Sequence, residues 1–124
     1  MLKFLLLSLL SFSAYAADDW DTTDKVLGAT ALTFELADLG QTISISHSCH
    51  DNDTPLVYSE LNPILGTCPK VSSVVQYFAA SILVSGLIAD ALPSNYRKAF
   101  LTGAILFEFD MVEHNYRGGI SIKF

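Results

Sequence analysis

The chain has 124 residues, a length that holds a single domain. Its thirteen Asp and Glu residues outnumber seven Lys and Arg residues, which gives a net charge of −6. This charge excludes nucleic acid as a partner, because nucleic acids bind to basic surfaces. Hydrophobic residues make up 51% of the chain and charged residues 16%, below the roughly 25% of average globular proteins. The composition therefore predicts either a membrane setting or a tightly packed core.

The first sixteen residues have the three parts of a cleavable signal peptide. Lys3 supplies the positive charge, 4–12 is an apolar run, and Ala14-Tyr15-Ala16 is a small-x-small cleavage site. The alternative is an uncleaved anchor helix, but the apolar run is shorter than the roughly 20 residues that a span needs. We therefore expect an exported mature domain at 17–124. Its six basic side chains face thirteen acidic ones, a net charge of −7.

The mature chain is predicted to be all-α, with three helices at about 25–45, 71–92 and 96–115 and a polar loop at 46–70. The first segment is rich in Ala and Leu and contains no proline, as is typical of helices. Suitable N-cap residues for this helix are Asp21, Thr22 and Thr23.

The second segment is the best candidate for a membrane span, because 71–89 is nineteen residues without a formal charge. The same segment fits the central helix of a soluble bundle. We prefer a membrane hairpin of the second and third segments with the first helix packed against it. Arg97 and Lys98 then form a cytoplasmic turn, in keeping with the positive-inside rule. This arrangement predicts a protein of the bacterial inner membrane that faces the periplasm.

Cys49 and Cys68 are the two cysteines of the chain, and an exported pair usually oxidises. The expected disulfide closes a loop of about twenty residues, which stabilises the fold by roughly 3 kcal/mol on the entropic model. Free thiols or metal ligands are the alternative, since His47, His50 and nearby aspartates offer further donors for zinc or copper. A bridged Cys49 would not serve as a ligand.

Acidic side chains recur along all three helices, where burial in a membrane or a tight bundle would be costly unless they pair or bind something. The candidate intramembrane polar site consists of Glu35, Asp38, Asp90, Glu108 and Glu113. The candidate metal ligands are His47, His50, Asp110 and His114. Asp110 and His114 lie four residues apart on one helical face, while Glu113 and Arg117 have the spacing of an ordinary ion pair. Polar contacts between packed helices are the alternative explanation.

A short motif in the loop, Glu60-x-Asn62-Pro63-Ile64-Leu65-Gly66, has Asn-Pro to initiate a turn and Gly66 to end it. Farther on stand Pro69, Tyr77-Phe78, Leu92-Pro93, Tyr96-Arg97 and His114-Asn115-Tyr116. This pattern resembles a group of small exported proteins of bacteria and their phages, and the likeness covers most of the mature chain. The resemblance supplies no activity and no catalytic residues, and both cysteines lie outside the pattern.

The leading functional expectation is a small, non-enzymatic protein of the cell envelope that acts through contact with the membrane and with other membrane proteins. If it comes from a phage, modulation of lysis or of superinfection would be its role. No cofactor is expected, because the chain contains no nucleophile elbow, phosphate-binding loop or HExxH motif. One alternative gathers Glu35, Asp38, Asp110 and His114 in a helical pocket that binds a metal or relays protons. The other is a soluble periplasmic helical domain.

Overall fold

The computed structural model describes residues 18–51, 60 and 62–124. They form three helices, α1 (Thr22–His50), α2 (Val71–Ala91) and α3 (Ser94–Arg117), and the described part of the chain contains no strand. The all-α prediction is confirmed. The proposed signal peptide, 1–16, lies outside the described residues, as does 52–59 of the polar loop.

The start of α1 is fixed by a reciprocal pair of hydrogen bonds. The Asp24 backbone N–H donates to the Asp21 carboxylate (2.8 Å), and the Asp21 N–H donates to the Asp24 carboxylate (3.2 Å). These bonds satisfy backbone donors that have no partner within the helix. Lys98 also donates to Asp21 (2.6 Å), and this hydrogen bond holds the pKa of Asp21 below its usual value. The helix therefore begins at Thr22, three residues before the predicted start.

The end of α1 corrects the predicted loop, because residues 46–50 are helical rather than irregular. The Ser46 hydroxyl donates to the Pro69 carbonyl (2.7 Å), and the Ser48 hydroxyl donates to the Ser44 carbonyl (2.9 Å). A disulfide joins Cys49 to Cys68, as predicted. These contacts hold the last turn of α1 against the segment that leads into α2, so the helix continues to His50.

The helices pack with α1 parallel to α3 and antiparallel to α2. At one end Asp24 of α1 contacts Arg97 of α3, and at the other the Gln41 amide donates to the Val112 carbonyl. Two apolar clusters fill the contacts between helices. The first cluster contains Ala31, Ala89 and Leu101, and the second contains Ile43, Val74 and Phe78.

Arg97 is fully buried and bonds to three separate parts of the fold. Its Nη1 donates to Asp24 (2.8 Å), its Nε to the Ala89 carbonyl (2.9 Å), and its Nη2 to the carbonyls of Asp18 (2.7 Å) and Leu92 (3.0 Å). The guanidinium also lies 5.0 Å from the centre of the Trp20 ring, within cation–π range. One side chain thus joins the starts of α1 and α3 to the end of α2.

The C-terminal tail folds back onto α1. Gly119 has a φ of 83°, a left-handed conformation that allows the chain to turn sharply after α3. Ile120 is buried, and the Lys123 N–H donates to the Gly40 carbonyl (3.0 Å). A Cβ atom on Gly40 would lie 2.5 Å from Cγ2 of Ile122, so glycine is required for this approach.

Replacing Arg97 with methionine is expected to lower the free energy of unfolding by about 3–5 kcal/mol, because Asp24 would remain buried without its partner. The measurement is thermal unfolding of the purified protein, followed by far-UV circular dichroism. Combining Arg97→Met with Asp24→Asn should recover part of the loss, since no unpaired charge is left. The control is Arg117→Met, which removes an exposed ion pair with Glu113 and should cost less than about 1 kcal/mol. Equal losses for the two arginine variants would contradict the importance of the buried pair.

Replacing Gly40 with alanine is expected to displace the tail from α1, because the new methyl group overlaps Ile122 and contacts Phe124. Overpacking of this kind typically costs about 1–3 kcal/mol. Carboxypeptidase should release Phe124 faster from this variant than from the unaltered protein. Gly86→Ala is the matched control, because a Cβ there meets open space. Identical release rates for both variants would show that the tail does not depend on Gly40.

Candidate ligand chamber

A cavity of about 720 Å³ lies between α1, α3, the first half of α2 and the turn at 62–66. We call it the acidic chamber, since four carboxylate side chains are among its described lining residues: Asp38, Glu60, Glu108 and Asp110. Its described lining contains no Lys or Arg. Its size falls within the range of about 300–1,000 Å³ that is usual for sites of small organic ligands.

Asp38 is held in place by a chain of amide side chains. Its Oδ1 accepts a hydrogen bond from the Asn115 amide (3.1 Å), and the same amide donates to Oε1 of Gln41 (3.2 Å). Gln41 in turn donates to the Val112 carbonyl (3.2 Å). These bonds link α1 to α3 across the chamber, and they leave the second oxygen of Asp38 outside the amide network.

Glu60 and Asn62 reach the chamber from a tight turn. The side-chain oxygen of Asn62 accepts from the Ile64 N–H (2.9 Å), and the backbone carbonyl of Asn62 accepts from the Gly66 N–H (3.1 Å). Gly66 has a φ of 78°, which favours glycine at the end of the turn. One oxygen of Glu60 accepts from the Asn62 N–H (2.8 Å), so the carboxylate is positioned by the backbone of the turn.

Glu35 and Glu108 carry carboxylates with few partners. Glu35 is only 9% exposed and makes no hydrogen bond to the other residues that the structure describes. Oε2 of Glu108 is buried and has no hydrogen-bond partner among the described residues. A second cavity of about 380 Å³ is lined by Glu35 and shares Ser81 and Glu108 with the acidic chamber. A buried carboxylate oxygen without a hydrogen-bond partner is costly, so Glu108 is suited to interact with a ligand.

The charges of these carboxylates act on one another. The negative charges of Glu35 and Glu60 repel that of Asp38. The negative charges of Asp38 and Glu35 likewise repel that of Glu108. The described lining contains four carboxylates and no Lys or Arg, with His114 as its one basic side chain, so the chamber favours cations.

Aromatic rings provide a further part of the chamber wall. Tyr77 and Phe78 stand edge to face with ring centres 5.4 Å apart, and Phe107 of α3 also lines the space. The faces of aromatic rings attract cations through their quadrupole. The combination of carboxylates and aromatic rings is the chemistry that recognises organic ammonium groups.

The predicted polar site is only partly assembled by the fold. Asp38 and Glu108 line the chamber, and Glu35 lines the adjoining cavity. Asp90 instead accepts a hydrogen bond from Trp20 (3.0 Å) at the end of α2, and Glu113 pairs with Arg117 on the surface.

The predicted metal ligands are divided between two places. Asp110 and His114 line the acidic chamber, whereas His47 is exposed near the end of α1 and His50 lies beside the disulfide. Among the described residues, one group of three metal donors has all its donor atoms within 4.8 Å of one another, namely Cys49, His50 and Cys68. The pocket predicted to combine Glu35, Asp38, Asp110 and His114 is divided, because the last three line the acidic chamber and Glu35 lines the adjoining cavity.

Several chamber residues were not identified as site residues from the sequence. Tyr77 and Asn115 appeared only within the resemblance pattern, and Gln41, which accepts from Asn115 but is not itself a lining residue, was not singled out. Glu60 was noted for its turn motif, without a partner on the helices. The available signal was the spacing of Asp38 and Gln41 on one face of α1.

No protein family, characterised protein or solved structure shows significant similarity to this chain. The resemblance to small exported proteins of bacteria and phages therefore stays a prediction. Modulation of lysis or superinfection stays one as well.

Proposed function

We propose that this protein is a small non-enzymatic membrane protein of the cell envelope that binds organic cations in the acidic chamber. The observation that carries the proposal is the chamber itself, where carboxylates and aromatic rings converge and the described lining contains no Lys or Arg. A ligand with one positive charge and an apolar body would satisfy both kinds of wall.

The distribution of polar and apolar side chains supports the membrane setting. Asp24, Glu35 and Arg97 are buried, whereas large apolar side chains such as Leu83 and Leu106 are more than 60% exposed. A protein in water would favour the reverse arrangement. The α2 helix has 21 residues and a mean hydropathy of 1.7 in its most apolar window, of which 11% is buried. Such a helix is long enough to cross a bilayer.

The spacing of the carboxylates favours an organic cation over a bare metal ion. Calcium and magnesium bind oxygen ligands at about 2.0–2.6 Å, so their ligand atoms crowd together. No three acidic or histidine groups of the acidic chamber bring their donor atoms within 4.8 Å of one another in the described chain. A quaternary ammonium or phosphonium group is larger and contacts more widely spaced carboxylates without rearrangement.

We expect the expressed protein to remain in the membrane fraction after carbonate extraction. Leu83→Arg combined with Leu87→Arg should abolish this retention, because each arginine costs about 2.5–3.5 kcal/mol at the centre of a spanning helix. In a soluble bundle the same exposed positions would accept arginine with changes of about 0.5 kcal/mol or less. Ser73→Arg is the control, because it lies near the helix end, where a long basic side chain reaches the interface. A native protein released by carbonate, with the double variant equally stable, would exclude the membrane setting.

The binding prediction uses tetraphenylphosphonium as the probe and isothermal titration calorimetry on the full chain in detergent. Glu108→Gln and Asp38→Asn should each weaken binding about tenfold or more, because a charge-assisted contact contributes about 1.5–3 kcal/mol. Glu113→Gln is the control, since this acid on the same helix pairs with Arg117 outside the chamber. Its affinity should equal that of the unaltered protein.

A neutral analogue separates charge recognition from apolar burial. Triphenylphosphine oxide has three of the same rings and no net charge, so it should bind much more weakly than the phosphonium. Equal binding of the two compounds, or full binding by Glu108→Gln, would contradict the proposal. Carboxylate-dependent Mn²⁺ binding in the absence of phosphonium binding would replace it with a metal site.

A further inference from the structure

The disulfide end of the bundle contains a second constellation, separate from the acidic chamber. Cys49 and His50 lie in the last turn of α1, and Cys68 precedes α2. Nδ1 of His50 lies 3.5 Å from the sulfur of each cysteine, and its Nε2 lies 3.8 Å from the sulfur of Cys68. The three donor groups lie within 4.8 Å of one another.

We propose that Cys49, His50 and Cys68 form a binding site for a thiophilic metal ion, Zn²⁺ in the first instance, when the disulfide is reduced. Tetrahedral zinc has bonds of about 2.3 Å to sulfur and about 2.0–2.1 Å to nitrogen, which place these donors about 3.6 Å apart. Nε2 of His50 lies 3.8 Å from the sulfur of Cys68, close to this spacing. For the ion to enter, the two sulfur atoms must separate and the imidazole must turn Nε2 toward both of them.

The imidazole of His50 is oriented by the backbone. Nδ1 lies 2.8 Å from the Ser46 carbonyl, and a carbonyl only accepts hydrogen bonds, so Nδ1 carries the proton. This tautomer leaves the lone pair on Nε2 for a metal. Histidine ligands of zinc commonly donate their other ring N–H to a backbone carbonyl in this way.

The arrangement does not depend on the disulfide alone. The buried hydrogen bond from the Ser46 hydroxyl to the Pro69 carbonyl joins the same two segments one residue away from Cys68. Val74 of α2 packs against Ile43 of α1 immediately beyond it. These contacts hold the cysteines near each other after the sulfur–sulfur bond is broken.

Zinc binding requires two-electron reduction of the disulfide. A dithiol reductant transfers two electrons and two protons to the disulfide, giving two thiols, and is itself oxidised to its own disulfide. Zn²⁺ then displaces the two thiol protons, and the two thiolates neutralise its charge. The neutral imidazole is the third ligand, and the fourth tetrahedral position is open to water or another donor. A disulfide oxidant that accepts two electrons from the pair re-forms the Cys49–Cys68 bond, is itself reduced to thiols, and releases the ion.

The test uses Co²⁺ as a spectroscopic substitute for Zn²⁺ on the full chain in detergent. The protein is reduced with a dithiol, which is removed by anaerobic gel filtration before Co²⁺ is added. The reduced protein should develop thiolate-to-cobalt charge-transfer absorption and tetrahedral ligand-field bands, which Zn²⁺ then abolishes. The oxidised protein should develop neither.

Variants determine whether the binding belongs to this constellation. His50→Ala should weaken cobalt binding about tenfold or more, and Cys68→Ser should abolish the charge-transfer band. His47→Ala is the matched control, because this exposed histidine lies one turn earlier on α1 and should leave cobalt binding unchanged.

Circular dichroism of the reduced protein is recorded in parallel with the absorption. Absence of the bands would overturn the proposal whether or not the helices persist, because no site would then exist in the reduced chain. Equal affinities for His50→Ala and the unaltered protein would overturn it as well, by indicating two cysteines binding without the histidine. Phosphonium binding in the acidic chamber is measured separately, so failure here leaves the proposed function standing.

Discussion

The buried ion pair between Arg97 and Asp24 fixes the position of α1 relative to the other helices. Both side chains are fully buried, and their 2.8 Å contact joins the first turn of α1 to the first turn of α3. Because the two helices then run parallel, the residues that follow on each come into register. Phe34 meets Phe109, and farther along Asp38 meets Asn115. The acidic chamber thus depends on a contact at the opposite end of the bundle.

The described bundle has buried polar side chains and exposed apolar ones, and its polar contacts select how the helices are arranged. The apolar clusters between the helices are small, and one of them contains two alanines. In lipid the exposed leucines gain nothing by packing together, so hydrogen bonds and ion pairs must select the arrangement. The Arg97 contacts and the Asp38–Asn115–Gln41 chain are bonds of this kind. Oε2 of Glu108 has no hydrogen-bond partner among the described residues, and this carboxylate is one of the four that give the acidic chamber its charge.

The sequence predicted the local features of this fold and missed the contacts between distant residues. Helix formation follows from nearby residues, so three helices and the cap at Asp21 could be inferred. The disulfide could be inferred because the chain has two cysteines. The pairing of Asp24 with Arg97, 73 residues away, has no local signature. Glu60 could not be placed in the chamber for the same reason, since its position depends on how the turn packs.

If the bundle spans a membrane as proposed, its orientation determines the redox state of the cysteines. The Asp18 carbonyl accepts from Arg97, so in a spanning bundle both residues lie on one side and Cys49 and Cys68 lie on the other. A cleaved signal peptide would leave Asp18 outside and put the cysteines in the cytoplasm, where thiols are kept reduced. A cytoplasmic turn at Arg97, which the positive-inside rule favours, would put them in an oxidising compartment.

These two expectations from the sequence, a cleaved signal and a cytoplasmic Arg97, therefore exclude each other in a spanning bundle. Each orientation has its own chemistry at the disulfide end. With Arg97 inside, the disulfide persists and strengthens the link between α1 and α2. With Arg97 outside, the cysteines would be thiols beside His50, and the proposed metal ion would replace the covalent bond. The side of the membrane that the cysteines face thus decides which of the two links closes this end of the bundle.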